Sequence, residues 1–171
     1  MWTWVRGLVL IAALVPAPWA EVIDRIMAVV GNQPITLSDV NAGILFRFVE
    51  VPAGTSDPLA FALDRLIERN LILTEVDRFQ PPEPAPVEIT LRIQELEQRA
   101  GSPEAFEKAL AVTGTSREQL RRYIRDDLRI ATYLNQRFGA NREPAERAAA
   151  VAAWANEIRR RAEITVQYRG R

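Results

Sequence analysis

The sequence predicts a mainly helical domain closed by a small β ribbon that pairs strands from the N- and C-terminal ends of the domain. Three observations carry this expectation. Most of the chain repeats its apolar residues at the spacing of an amphipathic helix, and the breaks between repeats fall on Gly, Pro and good N-cap residues. Strand-like composition, by contrast, is confined to residues 22–30 with the short return after them, and to residues 164–168.

Taken in order, residues 22–30 are β-branched and apolar, Gly31 and Asn32 supply a turn, and Pro34, Ile35 and Thr36 give a short extended return. Thr36 is placed to cap a helix with Asp39 in the capping-box position. Leu37, Val40, Ile44, Phe48 and Val51 continue that helix to about Glu50. A loop at residues 52–56 precedes Asp57 and Pro58, an N-cap and first-turn proline for a long helix ending near Phe79. Its apolar residues nearly encircle it, which marks it as the central helix. Residues 81–86 form a proline-rich linker within the domain, because proline lacks a donor and disfavours helix in the residue before it. Two shorter helices end at Gly101 and Gly114. Ser116, or Thr115 before it, then caps a second long helix carrying Leu120, Tyr123, Ile124, Leu128, Leu134 and Phe138. The closing helix and strand occupy residues 143–169, with Val151, Trp154, Ala155, Ile158 and Ala162 expected to be buried.

The first twenty residues set the compartment. Arg6 is followed by an apolar run over residues 7–15, then by small residues and prolines up to Ala20, the pattern of a secretory signal peptide. The run is far shorter than the ~20 apolar residues a membrane-spanning helix needs. Residues 1–20 are therefore expected to be removed, with cleavage after Ala20 or after Ala17. Residues 21–171 are expected to be periplasmic, soluble and without stable membrane insertion. The chain has no cysteine, so a lipid thioether anchor is chemically impossible, and with no disulfide available helix packing must supply the stability.

Composition narrows the chemistry. The chain carries 22 Lys and Arg against 22 Asp and Glu, and loss of Arg6 with the signal leaves 21 bases against 22 acids. Such balance argues against a dedicated nucleic-acid binder. With neither Cys nor His, there is no thiolate nucleophile, no imidazole base working near neutral pH, and no usual zinc ligand set. The nearest paired carboxylates are Asp126 with Asp127 and Glu95 with Glu97. Neighbours on a helix point about 100° apart and residues two apart about 200°, so neither pair converges on one reacting group. No catalytic residue, metal or cofactor is expected.

Residues 21–40, reading Glu21, Val22, Ile23, Asp24, Arg25, Ile26, Met27, Ala28, Val29, Val30 and on through Gly31, Asn32, Pro34, Ile35, Thr36, Ser38, Asp39 and Val40, resemble the opening of the N-terminal domain of the SurA family of periplasmic chaperones. Residues 62–73, from Ala62 and Leu63 through Asp64, Arg65, Leu66 and Ile67, are similar to that family's central helix, and residues 154–164 to the helix and strand that close its core. The resemblance implies a chaperone domain over residues 21–171. Members commonly carry parvulin-type prolyl isomerase domains before the closing helix, but here only residues 139–142 occupy that place. The resemblance thus implies the chaperone core without its isomerase: an ATP-independent periplasmic holdase for unfolded polypeptides, outer-membrane proteins among them. The alternative is an envelope scaffold that uses the same fold to hold one specific partner.

Leu45, Phe46 and Val49 lie off the helix face set by Leu37, Val40, Ile44 and Phe48, and are the candidate client-binding residues. The competing reading is that another helix covers them. Arg117, Arg121, Arg125 and Arg129 recur four apart, with Arg122 beside them, either as a solvated face with local ion pairs or as an attractor of anionic lipid or acidic clients. Interruption of the stripe by Glu118, Asp126 and Asp127 favours the solvated face. Tyr123 and Trp154 are expected in the core.

Overall fold

The computed structural model describes residues 24–139 and 142–170. The expected signal peptide at residues 1–20, the first strand residues Val22 and Ile23, and residues 140–141 before the closing helix lie outside the described residues.

The fold is mainly helical, with one small antiparallel sheet in the order β2-β1-β3. β1 (Ile26–Val30) and β2 (Gln33–Thr36) form a hairpin in which Val30 faces Gln33. Gly31 takes the left-handed conformation the tight connection requires, at φ 59°. β3 (Ile164–Val166) pairs with the other edge of β1, Ala28 opposite Val166 and Val30 opposite Ile164, so the two ends of the domain meet as expected. Beyond the ladder, the Gly31 N–H donates to the Glu163 carbonyl at 2.9 Å. The N–H groups of Gln167 and Tyr168 both donate to the Met27 carbonyl, at 2.9 and 3.0 Å.

Thr36 caps α1 (Leu37–Leu45): its hydroxyl accepts from the Asp39 N–H while the Asp39 carboxylate accepts from the Thr36 N–H at 2.8 Å. The helix stops well before the expected Glu50. Arg47 adopts a left-handed conformation at φ 56°, and the Val49 N–H reaches back to the Gly43 carbonyl at 2.9 Å, which folds the next turn inward. Asp57 caps α2 (Pro58–Phe79), accepting from the Ala60 N–H at 2.9 Å, and Gln80 ends it in a left-handed conformation before Pro81 and Pro82. α2 is the central helix. It buries Ala62, Leu63, Leu66, Ile67, Leu71, Ile72 and Val76, and packs against the hairpin, α1 and two later helices, α5 (Arg117–Phe138) and α6 (Pro144–Arg161).

The proline-rich segment is non-helical over residues 81–85, and Pro86 already belongs to α3 (Pro86–Ala100). With α4 (Pro103–Thr113) and the first half of α5, α3 encloses a second core of Phe46, Ile89, Leu96, Phe106, Leu110, Leu120 and Ile124. The first core joins the sheet, α2, α6 and the later part of α5 through Met27, Val40, Leu66, Ile67, Tyr133, Trp154 and Ile158. Trp154, Ala155 and Ile158 are buried as expected, whereas Val151 and Ala162 are only half-buried at its margin. No helix among the described residues is long and apolar enough to cross a membrane.

Polar ties complete the first core. Asp64 on α2 accepts from Arg159 on α6 and from Arg65 beside it. Partial burial alone would raise its pKa, but the hydrogen bonds from Arg65 and Arg159 and their charges hold it below the usual carboxylate value. A carboxylate with a depressed folded-state pKa adds stability above its unfolded pKa of ~4 and loses it as pH falls through the folded value. Asp64→Asn should therefore cost about 0.5 kcal/mol at neutral pH, small because the pair is partly exposed. The difference from wild type should vanish in denaturation curves taken well below pH 4.

Removal of residues 163–171 takes away β3, the half-buried Tyr168 and three hydrogen bonds to the Gly31 and Met27 backbone, leaving β1 with a bare edge. We expect a loss of about 2–4 kcal/mol, read as a lower denaturation midpoint. An unchanged midpoint would mean that the terminal pairing does not support the core.

Candidate functional site

A cleft of about 950 Å3 opens between the β1–β2 turn, the C-terminal half of α2, the middle of α5 and the end of α6. Ala162 and Glu163, just before β3, line it beside the hairpin tip. Val30, Leu71, Leu73 and Ile158 give it an apolar component, and Asn32, Gln33, Asn70 and Thr74 bring uncharged donors and acceptors. Its charged lining is balanced: Arg78, Arg125, Arg129 and Arg161 face Glu75, Asp77, Asp126 and Glu163.

Most of these charges are already paired. Arg78 donates to Glu75 at 2.8 Å, and Arg125 donates to one Asp126 oxygen through Nε at 3.2 Å and Nη2 at 3.0 Å. Arg129 departs from the solvated face expected of its stripe. It is 7% exposed, because α2 and the proline-rich segment cover this turn of α5. Its Nη1 donates to Asp77 at 2.8 Å and lies 3.7 Å from Asp126. Its Nε is buried without a hydrogen-bond partner, 3.4 Å from a Glu83 oxygen, and the Glu83 carboxylate also approaches Arg125 at 3.8 Å. Elsewhere the stripe behaves as a paired surface, with Arg117 bridging Glu97 and Glu107 and Arg122 reaching Glu118 at 3.5 Å.

A smaller hollow of about 290 Å3 lies near the end of α1. There the Arg69 guanidinium sits 3.7 Å from the centre of the Tyr123 ring, donates to Asp127 at 2.8 Å and reaches the Tyr123 carbonyl at 3.0 Å. Phe48 stacks on the Tyr123 ring at 4.3 Å between centroids. Burial pushes the Tyr123 phenol well above its ordinary range, and burial also raises the Asp127 carboxyl despite Arg69 beside it. This network bolts α2 to α5. Asp126 meanwhile lines the large cleft, so the adjacent carboxylates diverge as their helical spacing requires.

Leu45, Phe46 and Val49, the client surface expected from sequence, do not form an open patch. Leu45 is 49% exposed, but Phe46 is 6% and Val49 7% exposed. Phe46 packs in the second core, 6.0 Å from the Phe106 ring centroid, and Val49 joins the first. The correction has a definite cause: the helix phase that puts them on a free face ends at Leu45, and the turn at Arg47 redirects the chain from Phe48 onward. Of the cleft residues, sequence reasoning weighs only Arg125, Asp126 and Arg129 for a functional role. Asp77 and Glu83 are close in sequence but Arg129 is 52 residues beyond Asp77, and only the packing of α5 on α2 joins them. The sequence matches no protein-family model, and no curated protein is significantly similar to it.

The new placement is checked by stability. Phe46→Ala should cost about 3–5 kcal/mol through the cavity it leaves, whereas Leu45→Ser should stay within about 0.5 kcal/mol of wild type. Equal, small effects in chemical denaturation would return Phe46 to the surface.

Proposed function

We propose that the protein is an ATP-independent periplasmic holdase that binds unfolded polypeptides, outer-membrane proteins among them, in the cleft between the hairpin tip, α2, α5 and α6. The observation that carries this reading is the lining of that cleft. A polypeptide main chain is uncharged and dense in donors and acceptors, with apolar side chains alternating along it. A cleft with matched charges, side-chain amides and an apolar component suits that chemistry without selecting a particular sequence. The likeness of residues 21–40, 62–73 and 154–164 to the SurA chaperone core points the same way, and the signal-like residues 1–20 would deliver the domain to a compartment without ATP.

An envelope scaffold holding one folded partner is the second reading. It is favoured by Val87 and Leu91, one turn apart on α3 and 60% and 54% exposed. The two readings separate in one assay. At a few-fold molar excess and without nucleotide, the protein should suppress light scattering from several unrelated outer-membrane proteins diluted out of urea. Thr74→Trp, which fills the cleft from its lining on α2, should weaken suppression while the unfolding midpoint stays near wild type. Suppression of no client, or of one only, would favour the scaffold.

A further inference from the structure

Resting on the reading of the cleft as a polypeptide seat, we infer that its Arg125–Arg129 end binds a carboxylate of the bound chain, and that Glu83 is a tethered stand-in for that carboxylate. The guanidinium of Arg129 is held from one side only. Nη1 is fixed by Asp77 on α2, and Asp126, one turn earlier on α5, stands behind it at 3.7 Å. The Nε edge has no hydrogen bond although it is buried. A fixed, desolvated guanidinium with its Nε edge unsatisfied matches the planar fork of a carboxylate, which takes Nε and a terminal nitrogen together.

Glu83 occupies that edge without completing it. At 3.4 Å from Arg129 and 3.8 Å from Arg125 it is an ion-pair neighbour of both and a hydrogen-bond partner of neither, and its side chain is 62% exposed. It is carried on a stiff segment: Gln80 is left-handed at φ 50°, and Pro81, Pro82 and Pro84 restrict the backbone around it. Glu83 leaves by turning its side chain into solvent, with no refolding of the segment. Exchange of one carboxylate for another keeps the charge at the Arg129 Nε edge unchanged, which lowers the electrostatic cost of bringing an anion near Asp77 and Asp126.

Two parts of a polypeptide supply a carboxylate: its C-terminus and its Asp or Glu side chains. Fluorescence anisotropy on the full chain separates them with three labelled peptides of one apolar and serine-containing sequence. One has a free C-terminal carboxylate, one is C-terminally amidated, and one is amidated with a single internal Glu. The free acid, the Glu peptide, or both should bind about tenfold or more tightly than the amidated peptide, and whichever does identifies the source. Glu83→Gln should tighten binding of that peptide several-fold by removing the competitor while leaving the amidated peptide unchanged. Arg129→Lys should erase the preference, and because Glu83 is exposed its variant keeps the test decisive even where an Arg129 variant folds poorly. Equal binding of all three peptides, with no response to Glu83→Gln, overturns the inference. If those peptides still bind and aggregation is still suppressed, the holdase reading stands without it; if neither occurs, both fail together.

Discussion

Burial of the broad apolar face of α2 is the constraint the rest of the structure depends on. Seven of its side chains are buried, and α1, α5, α6 and the hairpin each cover a different part of it. That apolar face is costly to leave in water, so the surrounding elements pack on it, with each fully buried aliphatic side chain contributing about 1.5–3 kcal/mol. The sheet finishes the enclosure. β1 buries Met27 and Ala28 completely, and β2 and β3 satisfy its two edges. The terminal pairing therefore serves the central helix: it fixes the strand that closes one side of the core, and α6 is drawn along the opposite side by the short link from Arg161 to Ile164.

The second core attaches to the first through α5. Leu120 and Ile124 face the second core, and Tyr133 faces the first. One helix with a single apolar stripe thus joins two clusters, and the Arg69, Tyr123 and Asp127 network sits where it crosses α2. Phe46 contributes from the other direction, at the end of α1 just before the turn at Arg47. The proline-rich segment is the remaining crossing, and its stiffness keeps α3 near the end of α2 without a helix to hold it.

Local chemistry makes much of this legible in the sequence. Thr36, Asp57 and Ser116 each cap the helix that their spacing predicts, and Gly101 and Gly114 each end one, because caps and left-handed exits depend on a few adjacent residues. The failures share a different physical cause. Nothing in its neighbourhood marks Arg47 as the left-handed residue just past the end of α1, since a non-glycine residue enters that conformation only when tertiary contacts, here Val49 against Gly43, over-determine it. Extending α1 to Glu50 by periodicity alone then puts Phe46 and Val49 on a free face they do not occupy. Arg129 is legible as one member of a basic stripe but not as buried, because its burial comes from Asp77 and Glu83 on segments distant in sequence.

The cleft that replaces the expected apolar patch changes the physics of holding a polypeptide. An apolar groove binds by removing water from hydrocarbon and accepts whatever chain exposes most of it, whereas a cleft with paired charges and amides must exchange its hydrogen bonds with water for hydrogen bonds with a main chain. Each exchange contributes only about 0.5–1.5 kcal/mol net. Affinity from this source is necessarily modest, which on the proposed holdase reading suits release of a client without ATP. The exception within the cleft is Arg129, whose Nε is already shielded from water and already without a hydrogen bond. A carboxylate arriving there takes the place of Glu83, 3.4 Å away. The protein side of that contact is therefore already desolvated, and on the proposed reading the same low exposure that hides Arg129 makes it the point in an otherwise permissive cleft where one end or one side chain of a client would be distinguished from the rest.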